Sequence, residues 1–155
     1  MKAIHWFILI ACLPAVAQTR QIVAISHRGE HLQRPENTIP AFREAVRVGA
    51  DFIEVDVRTT IDGKLVLSHD DTVDRCTNGT GKVSAMTFDQ IEALDAGVKM
   101  GAEFARTRIP TFDEVLDLAR GKIGIYVDGF GALAGRRASD RRAGHGRCGA
   151  GHSRD

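Results

Sequence analysis

The sequence predicts a parallel α/β fold. Three observations carry that expectation. Short runs rich in Ile and Val recur at 22–25, 52–57 and 122–128, the length and composition of buried parallel strands. Amphipathic stretches that can form helices follow the first run and precede the last. A long polar insertion separates the second run from the second of those helices. Strand, helix, strand, insertion, helix, strand is the order of a parallel α/β protein. With 155 residues the chain is sized for one domain. Its 43% hydrophobic and 26% charged content is that of a soluble globular protein, and a net charge of +1 steers towards no nucleic acid.

Residues 1–17 read as an export signal. Lys2 is the basic start, Ala3 to Ala17 form an apolar run, and Ala15-Val16-Ala17 offers a small-x-small cleavage site before Gln18. The run falls short of the roughly 20 apolar residues of a membrane-spanning helix, and His5, Trp6 and Pro14 break any strand pattern. The expected location is periplasmic or extracellular, with no stable membrane insertion after cleavage. A second address is Leu9-Ile10-Ala11-Cys12, which resembles a lipoprotein processing site with Cys12 as the acylated residue. Removal of the signal leaves Cys76 and Cys148, and Cys76 is expected to stay a free thiol.

The first strand is expected at Ile22–Ile25. Pro35 closes the loop after it, and Asn37 or Thr38 can cap a helix whose Ile39, Phe42, Ala45 and Val46 share a face, with Gly49 at its end. Phe52–Val57 is the second strand. Asp62-Gly63 signals a tight turn into a short strand, Lys64–Leu67. Residues 70–82 are polar and loop-like, and Thr87 can cap a short helix through Leu94. Thr111 precedes a clearer helix with Phe112, Val115, Leu116 and Ala119 on one face, followed by Gly121 and the last strand, Lys122–Asp128. Residues 18–128 therefore form the expected folded unit.

After Asp128 the composition changes. Of the 27 residues from Gly129 to Asp155, seven are glycine, six arginine and five alanine. Arginine outnumbers aspartate there, which leaves this tail at about +4. Such a run reads as the product of a shifted reading frame in G/C-rich DNA, or else as a disordered tail.

The chemistry concentrates in a few residues. Glu54 and Asp56 are two apart on a strand, so both side chains face one side. Two neighbouring carboxylates repel; either a divalent cation between them removes the penalty, for which all-oxygen ligation favours Ca²⁺ or Mg²⁺, or one of them pairs with Arg58 or a lysine. His27 directly follows the first strand, at the C-terminal end where parallel α/β proteins gather catalytic groups. Arg28 beside it has the forked guanidinium suited to phosphate, and His69 follows the short third strand in the same manner. Two histidines can act as base and acid on opposite sides of a phosphorus atom. His31 is expected to face solvent, Tyr126 to lie in the core, and Glu36 and Asn37 to shape the loop and cap the helix.

Together these blocks resemble the glycerophosphodiester phosphodiesterase family. They are His27-Arg28-Gly29, Pro35-Glu36-Asn37-Thr38, Ala41-Phe42, Gly49-Ala50-Asp51, Glu54-Val55-Asp56, Thr60-Ile61-Asp62-Gly63, His69-Asp70-Asp71-Thr72-Val73-Asp74-Arg75 and Ile109-Pro110-Thr111-Phe112-Asp113-Glu114-Val115-Leu116. The resemblance implies a TIM-barrel-like (β/α)8 phosphodiesterase fold with an insertion over about His69 to Arg108. This chain would hold its N-terminal portion, truncated, because about three barrel strands are legible where closure takes eight. It implies metal-assisted hydrolysis of small glycerophosphodiesters to glycerol 3-phosphate and an alcohol, with His27 and His69 as the acid/base pair and Arg28 on the phosphate. Glu54, Asp56 and Asp128 would be the metal ligands. The family has a lysine two residues after the third ligand, where this chain has Phe130. Two alternatives remain: an inactive truncated fragment of such an enzyme, or a phospholipase D-like enzyme acting on intact lipids.

Overall fold

The computed structural model describes residues 22–129. The expected export signal with Cys12, and the tail from Phe130 onward with Cys148, lie outside the described residues. Within them the order is β1 (Ile25–Ser26), α1 (Ile39–Val48), β2 (Phe52–Thr59), β3 (Leu65–Leu67), α2 (Phe88–Glu92), α3 (Phe112–Ala119) and β4 (Gly124–Asp128). Short 3-10 turns at Val83–Ala85 and Ala102–Phe104 complete the insertion. No helix among the described residues is long and apolar enough to cross a membrane.

β2 is the hub of the sheet. Phe52 and Ile53 pair in parallel with Ile25 and Ser26 of β1 on one edge, and Phe52 to Asp56 pair in parallel with Gly124 to Asp128 of β4 on the other. The far end of β2 turns at Asp62-Gly63, and Val57 to Thr59 pair antiparallel with β3. Alternation along β2 then divides the molecule. Ile53, Val55 and Val57 pack against Phe42 and Ala45 of α1 and Phe112 and Val115 of α3. Glu54 and Asp56 face the other way. The insertion builds its own small core from Val66, Val73, Val83, Ile91, Ala96 and Ile109.

Local chemistry explains the helix boundaries. α1 carries Pro40 in its first turn, where the missing N–H is not needed, and ends on Gly49 in the left-handed region at φ +81°. α2 and α3 both begin with capping boxes. The Thr111 hydroxyl accepts from the Glu114 N–H at 3.2 Å and the Glu114 carboxylate accepts from the Thr111 N–H at 2.8 Å, and Thr87 and Gln90 repeat the pattern.

Three expectations change here. Ile22–Ile25 is not a buried strand: only Ile25 and Ser26 pair, and Ile22, Val23 and Ile25 are exposed. The reason is partner length, since β2 begins at Phe52 and the Asp51 carboxylate takes the Ala24 N–H at 2.8 Å in place of a ladder bond. Leu116 is exposed, because the buried face of α3 runs through Phe112, Val115 and Ala119, with Leu118 packed at its side. Asn37 does not cap α1. Thr38 stands at the cap position, yet its hydroxyl donates to the Pro35 carbonyl at 2.5 Å.

Gly29 makes the sharp exit from β1 possible. Its φ is +79°, and a Cβ there would come within 2.8 Å of the backbone and Cβ of Ala41. Left-handed strain and overpacking add. Gly29→Ala is expected to destabilise the fold by about 3 kcal/mol, read as a lower urea midpoint at unchanged slope.

Candidate active site

The parallel register brings the acidic residues together. Asp56 pairs directly with Asp128, and Glu54 lies two residues back on the same face of β2. One oxygen from each of the three carboxylates lies within 4.8 Å of the others. Glu54 and Asp56 are buried while Asp128 is exposed at the strand end, so the cluster opens on one side. Three hard oxygen donors at this spacing could hold a divalent cation.

Each carboxylate is oriented by neighbours. Glu54 Oε2 accepts the Arg28 backbone N–H at 2.9 Å and lies 3.9 Å from His27 Nε2. Arg28 reaches this position with φ +54°, a rare conformation for a side-chain-bearing residue. Its Nε lies 3.4 Å from Asp56 Oδ2 but makes no hydrogen bond, and its Nη1 donates to Glu36 at 3.3 Å. Asn37 grips Asp56 twice: its Nδ2 donates to Oδ2 at 2.7 Å, and its Oδ1 accepts the Asp56 N–H at 3.2 Å. Asn37 is also left-handed, at φ +54°, and fully engaged by its Asp56 contacts and its N–H to the Arg28 carbonyl. Its role is at Asp56 and not at the helix start.

Burial raises the Glu54 carboxyl above its ordinary value, and the charge of Asp56 adds to the rise against the opposing Arg28 N–H. A carboxylate raised on folding holds its proton more tightly in the folded state, so its ionisation costs stability as pH rises above the unfolded value of 4.5. Glu54→Gln, which keeps an acceptor for the Arg28 N–H, is therefore expected to raise the neutral-pH melting temperature of the metal-free chain by about 4 °C. Glu36 and Asp70 have the opposite sign. Both are lowered, chiefly by hydrogen bonds from Arg75. Their stabilisation is present above the ordinary carboxylate range and is lost as pH falls through their lowered values.

His27 sits on the rim of this cluster. His27 is exposed just beyond β1, and its ring meets that of His31 edge-on with centroids 5.6 Å apart. His31 is partly exposed, and its Nδ1–H donates to the His27 carbonyl at 2.7 Å and shapes the turn that presents His27. His69 follows β3, and its loop is tied to β2 where the Ser68 N–H donates to the Asp56 carbonyl at 3.0 Å. Arg58 does not pair with Glu54 or Asp56. It donates to the Ser68 and His69 carbonyls and to Asp71. His69 Nδ1 lies 2.6 Å from Asp70 Oδ1.

Arg75 and Glu36 were not legible as site residues. Arg75 donates to both oxygens of Glu36, at 2.9 and 2.7 Å, and to Asp70 at 2.7 Å. The one available signal was their place in the Pro35–Thr38 and His69–Arg75 blocks. Tyr126 also departs from expectation. It pairs with Glu54 in register and is 59% exposed on the cluster's face of the sheet, because β4 alternates with Ile125 and Val127 inward. Cys76 is free and half-buried, and burial pushes its thiol up.

A parallel sheet with a carboxylate cluster and His27 at its C-terminal strand ends is the arrangement of part of a TIM-barrel-like fold. The chain belongs to the glycerophosphoryl diester phosphodiesterase family, whose model matches residues 27–128. It is 54% identical over 96 residues to a glycerophosphodiester phosphodiesterase of Caldanaerobacter subterraneus, covering 62% of this chain and 40% of that protein. It is 41% identical over 111 residues to mouse glycerophosphodiester phosphodiesterase 1, covering 70% of this chain and 34% of that protein. Among solved structures, a glycerophosphodiester phosphodiesterase from Agrobacterium tumefaciens superposes with a TM-score of 0.68 at 43% identity, covering 69% of this chain and 46% of the other. A phosphodiesterase from Oleispira antarctica, solved in complex with the product sn-glycerol-3-phosphate, gives 0.66 at 33% identity, covering 68% and 43%. The chain thus spans less than half the length of these relatives.

Proposed function

We propose that this chain carries the phosphodiester-cleaving site of a glycerophosphodiester phosphodiesterase, which hydrolyses compounds such as glycerophosphocholine to glycerol 3-phosphate and an alcohol. The observation that carries the reading is the convergence of Glu54, Asp56 and Asp128 within 4.8 Å, with His27 Nε2 only 3.9 Å from Glu54. The product-bound Oleispira antarctica relative supports a glycerol phosphate ligand.

The donor set fits a divalent cation, Ca²⁺ or Mg²⁺. Its oxygens are hard and two of the carboxylates are buried beside each other, where burial and then the neighbouring Asp56 charge raise Glu54. When bound, the cation would offset charge on the phosphate oxygens in the transition state. The chain's own residues do the rest. His27 Nε2 takes a proton from the attacking hydroxyl, either water or the substrate's glycerol 2-hydroxyl, as the new P–O bond forms. His69 gives a proton to the departing alcohol oxygen as the old P–O bond breaks. If the 2-hydroxyl attacks, water then opens the cyclic phosphate with the two roles reversed. Arg28, already beside Asp56 and Glu36, supplies a guanidinium to the phosphate. With the segment 1–17 read as an export signal, this chemistry would take place outside the cytoplasm.

The test is incubation of the purified chain with glycerophosphocholine in Ca²⁺ or Mg²⁺. Release of glycerol 3-phosphate that EDTA abolishes is expected. A folded, cation-loaded chain that releases none would favour the inactive-fragment reading, and cleavage of sphingomyelin in its place would favour the lipid phosphodiesterase.

A further inference from the structure

Between the carboxylate cluster and His69 runs a continuous ladder of charged side chains. Asp56 neighbours Arg28, Arg28 donates to Glu36, Glu36 receives both Nη atoms of Arg75, and Arg75 clasps Asp70, whose Oδ1 meets His69 Nδ1 at 2.6 Å. These residues come from five segments: β2, the β1 exit, the loop before α1, the insertion, and the turn after β3. Its long-range step is Glu36 to Arg75, 39 residues apart. Arg75 is occupied on both sides by carboxylates, so its guanidinium has a structural partner at each edge.

We propose that Asp70, backed by Arg75 and Glu36, is the positioning residue of His69. It fixes the ring with Nδ1–H turned to the carboxylate and leaves Nε2 as the atom offered to the substrate's leaving oxygen. The proposal rests on the reading of His69 as the general acid. The geometry decides the tautomer. Asp70 accepts Arg75 Nε–H on Oδ2 at 2.7 Å and a second Arg75 N–H on Oδ1 at 3.2 Å, which holds it as an ionised, acceptor-only group. An acceptor-only Oδ1 at 2.6 Å requires the proton on Nδ1. Arg58 donates to the His69 carbonyl and pairs with Asp71, and Cys76 lines the same small cavity as His69 and Glu36. The ladder also sets where His69 stands relative to the carboxylates, because Arg75 and Glu36 tie the insertion to the loop that carries Asn37.

Asp70→Asn is the discriminating variant, being isosteric. Its amide sets an N–H at one of the two oxygen positions, either against the Arg75 Nε–H or against the imidazole ring. With the oxygen on Arg75, the amide N–H faces the ring and drives the proton from Nδ1 to Nε2. Long-range ¹H–¹⁵N correlation on the full chain, at a pH where the ring is neutral, reads this without turnover. The wild-type His69 should show a protonated Nδ1 and a bare Nε2, and Asp70→Asn the reverse. A wild-type ring protonated on Nε2 overturns the proposal.

The kinetic arm uses two substrates, glycerophosphocholine and a glycerophosphodiester with a p-nitrophenyl leaving group that departs without protonation. Asp70→Asn is expected to lower kcat for the choline ester about a hundredfold or more, with KM and p-nitrophenol release nearly unchanged. Equal loss on both substrates means a merely structural role and overturns the proposal. His69→Ala run in parallel separates the two levels. If it too loses both substrates equally, the acid role itself fails; if it is selective and Asp70→Asn is not, only the positioning role fails.

Discussion

On the proposed function, His69→Ala is expected to lower turnover of glycerophosphocholine by about a thousandfold or more while leaving the fold intact. The magnitude follows from general acid catalysis, which contributes roughly 10²–10⁴ in rate, and from an alkoxide leaving group that departs poorly unprotonated. Stability should barely respond. His69 is substantially exposed after β3, its side chain fills no core position, and the loop is held by the Ser68 N–H and by Arg58 on its backbone carbonyls. The measurement is kcat for choline release beside a urea melt. A variant that keeps substantial activity removes His69 from the acid role.

The second large effect belongs to the carboxylates, and the two strands predict different outcomes. Asp128→Asn removes an exposed ligand whose side chain is otherwise bound only to the Gly129 N–H among the described residues. It should cost cation affinity and about a thousandfold in turnover, equivalent to several kcal/mol of transition-state stabilisation, with little change in stability. Asp56→Asn removes a ligand that also accepts from Asn37 and neighbours Arg28. The same kinetic loss should come with a loosened β1 exit, because Arg28 loses the charge beside its Nε and keeps Glu36 as its remaining carboxylate neighbour. Cation titrations of both variants, followed by activity and thermal melting, separate the ligand role from the scaffold role.

Much of this was legible because it depends on periods and local pairs. Two-residue spacing placed Glu54 and Asp56 on one face, Thr111 announced a helix start, and Asp62-Gly63 announced a tight turn into a short strand. The joining of Asp128 to Asp56 depended on family resemblance, since nothing local in Gly124–Asp128 states a register 72 residues away in sequence. What could not be read was long-range polar pairing. Asn37 to Asp56 spans 19 residues and Glu36 to Arg75 spans 39. A loop asparagine beside a helix start looks like a cap until its partner strand is in place. Ile22–Ile25 and Tyr126 failed for another reason: apolar composition marks a strand's capacity to be buried, while burial depends on what lies across from it, and among the described residues little covers those positions.

The central claim is that Glu54, Asp56 and Asp128 form a cation site on which a glycerol phosphate group is held between His27 and His69. Titration of the 155-residue chain with glycerol 3-phosphate, in Ca²⁺ and again in EDTA, tests it most directly and needs no turnover. The account predicts saturable binding in Ca²⁺ or Mg²⁺ that is lost in EDTA and in Asp128→Asn. Binding that is indifferent to the cation, or a folded chain that takes up neither cation nor glycerol 3-phosphate, would contradict it.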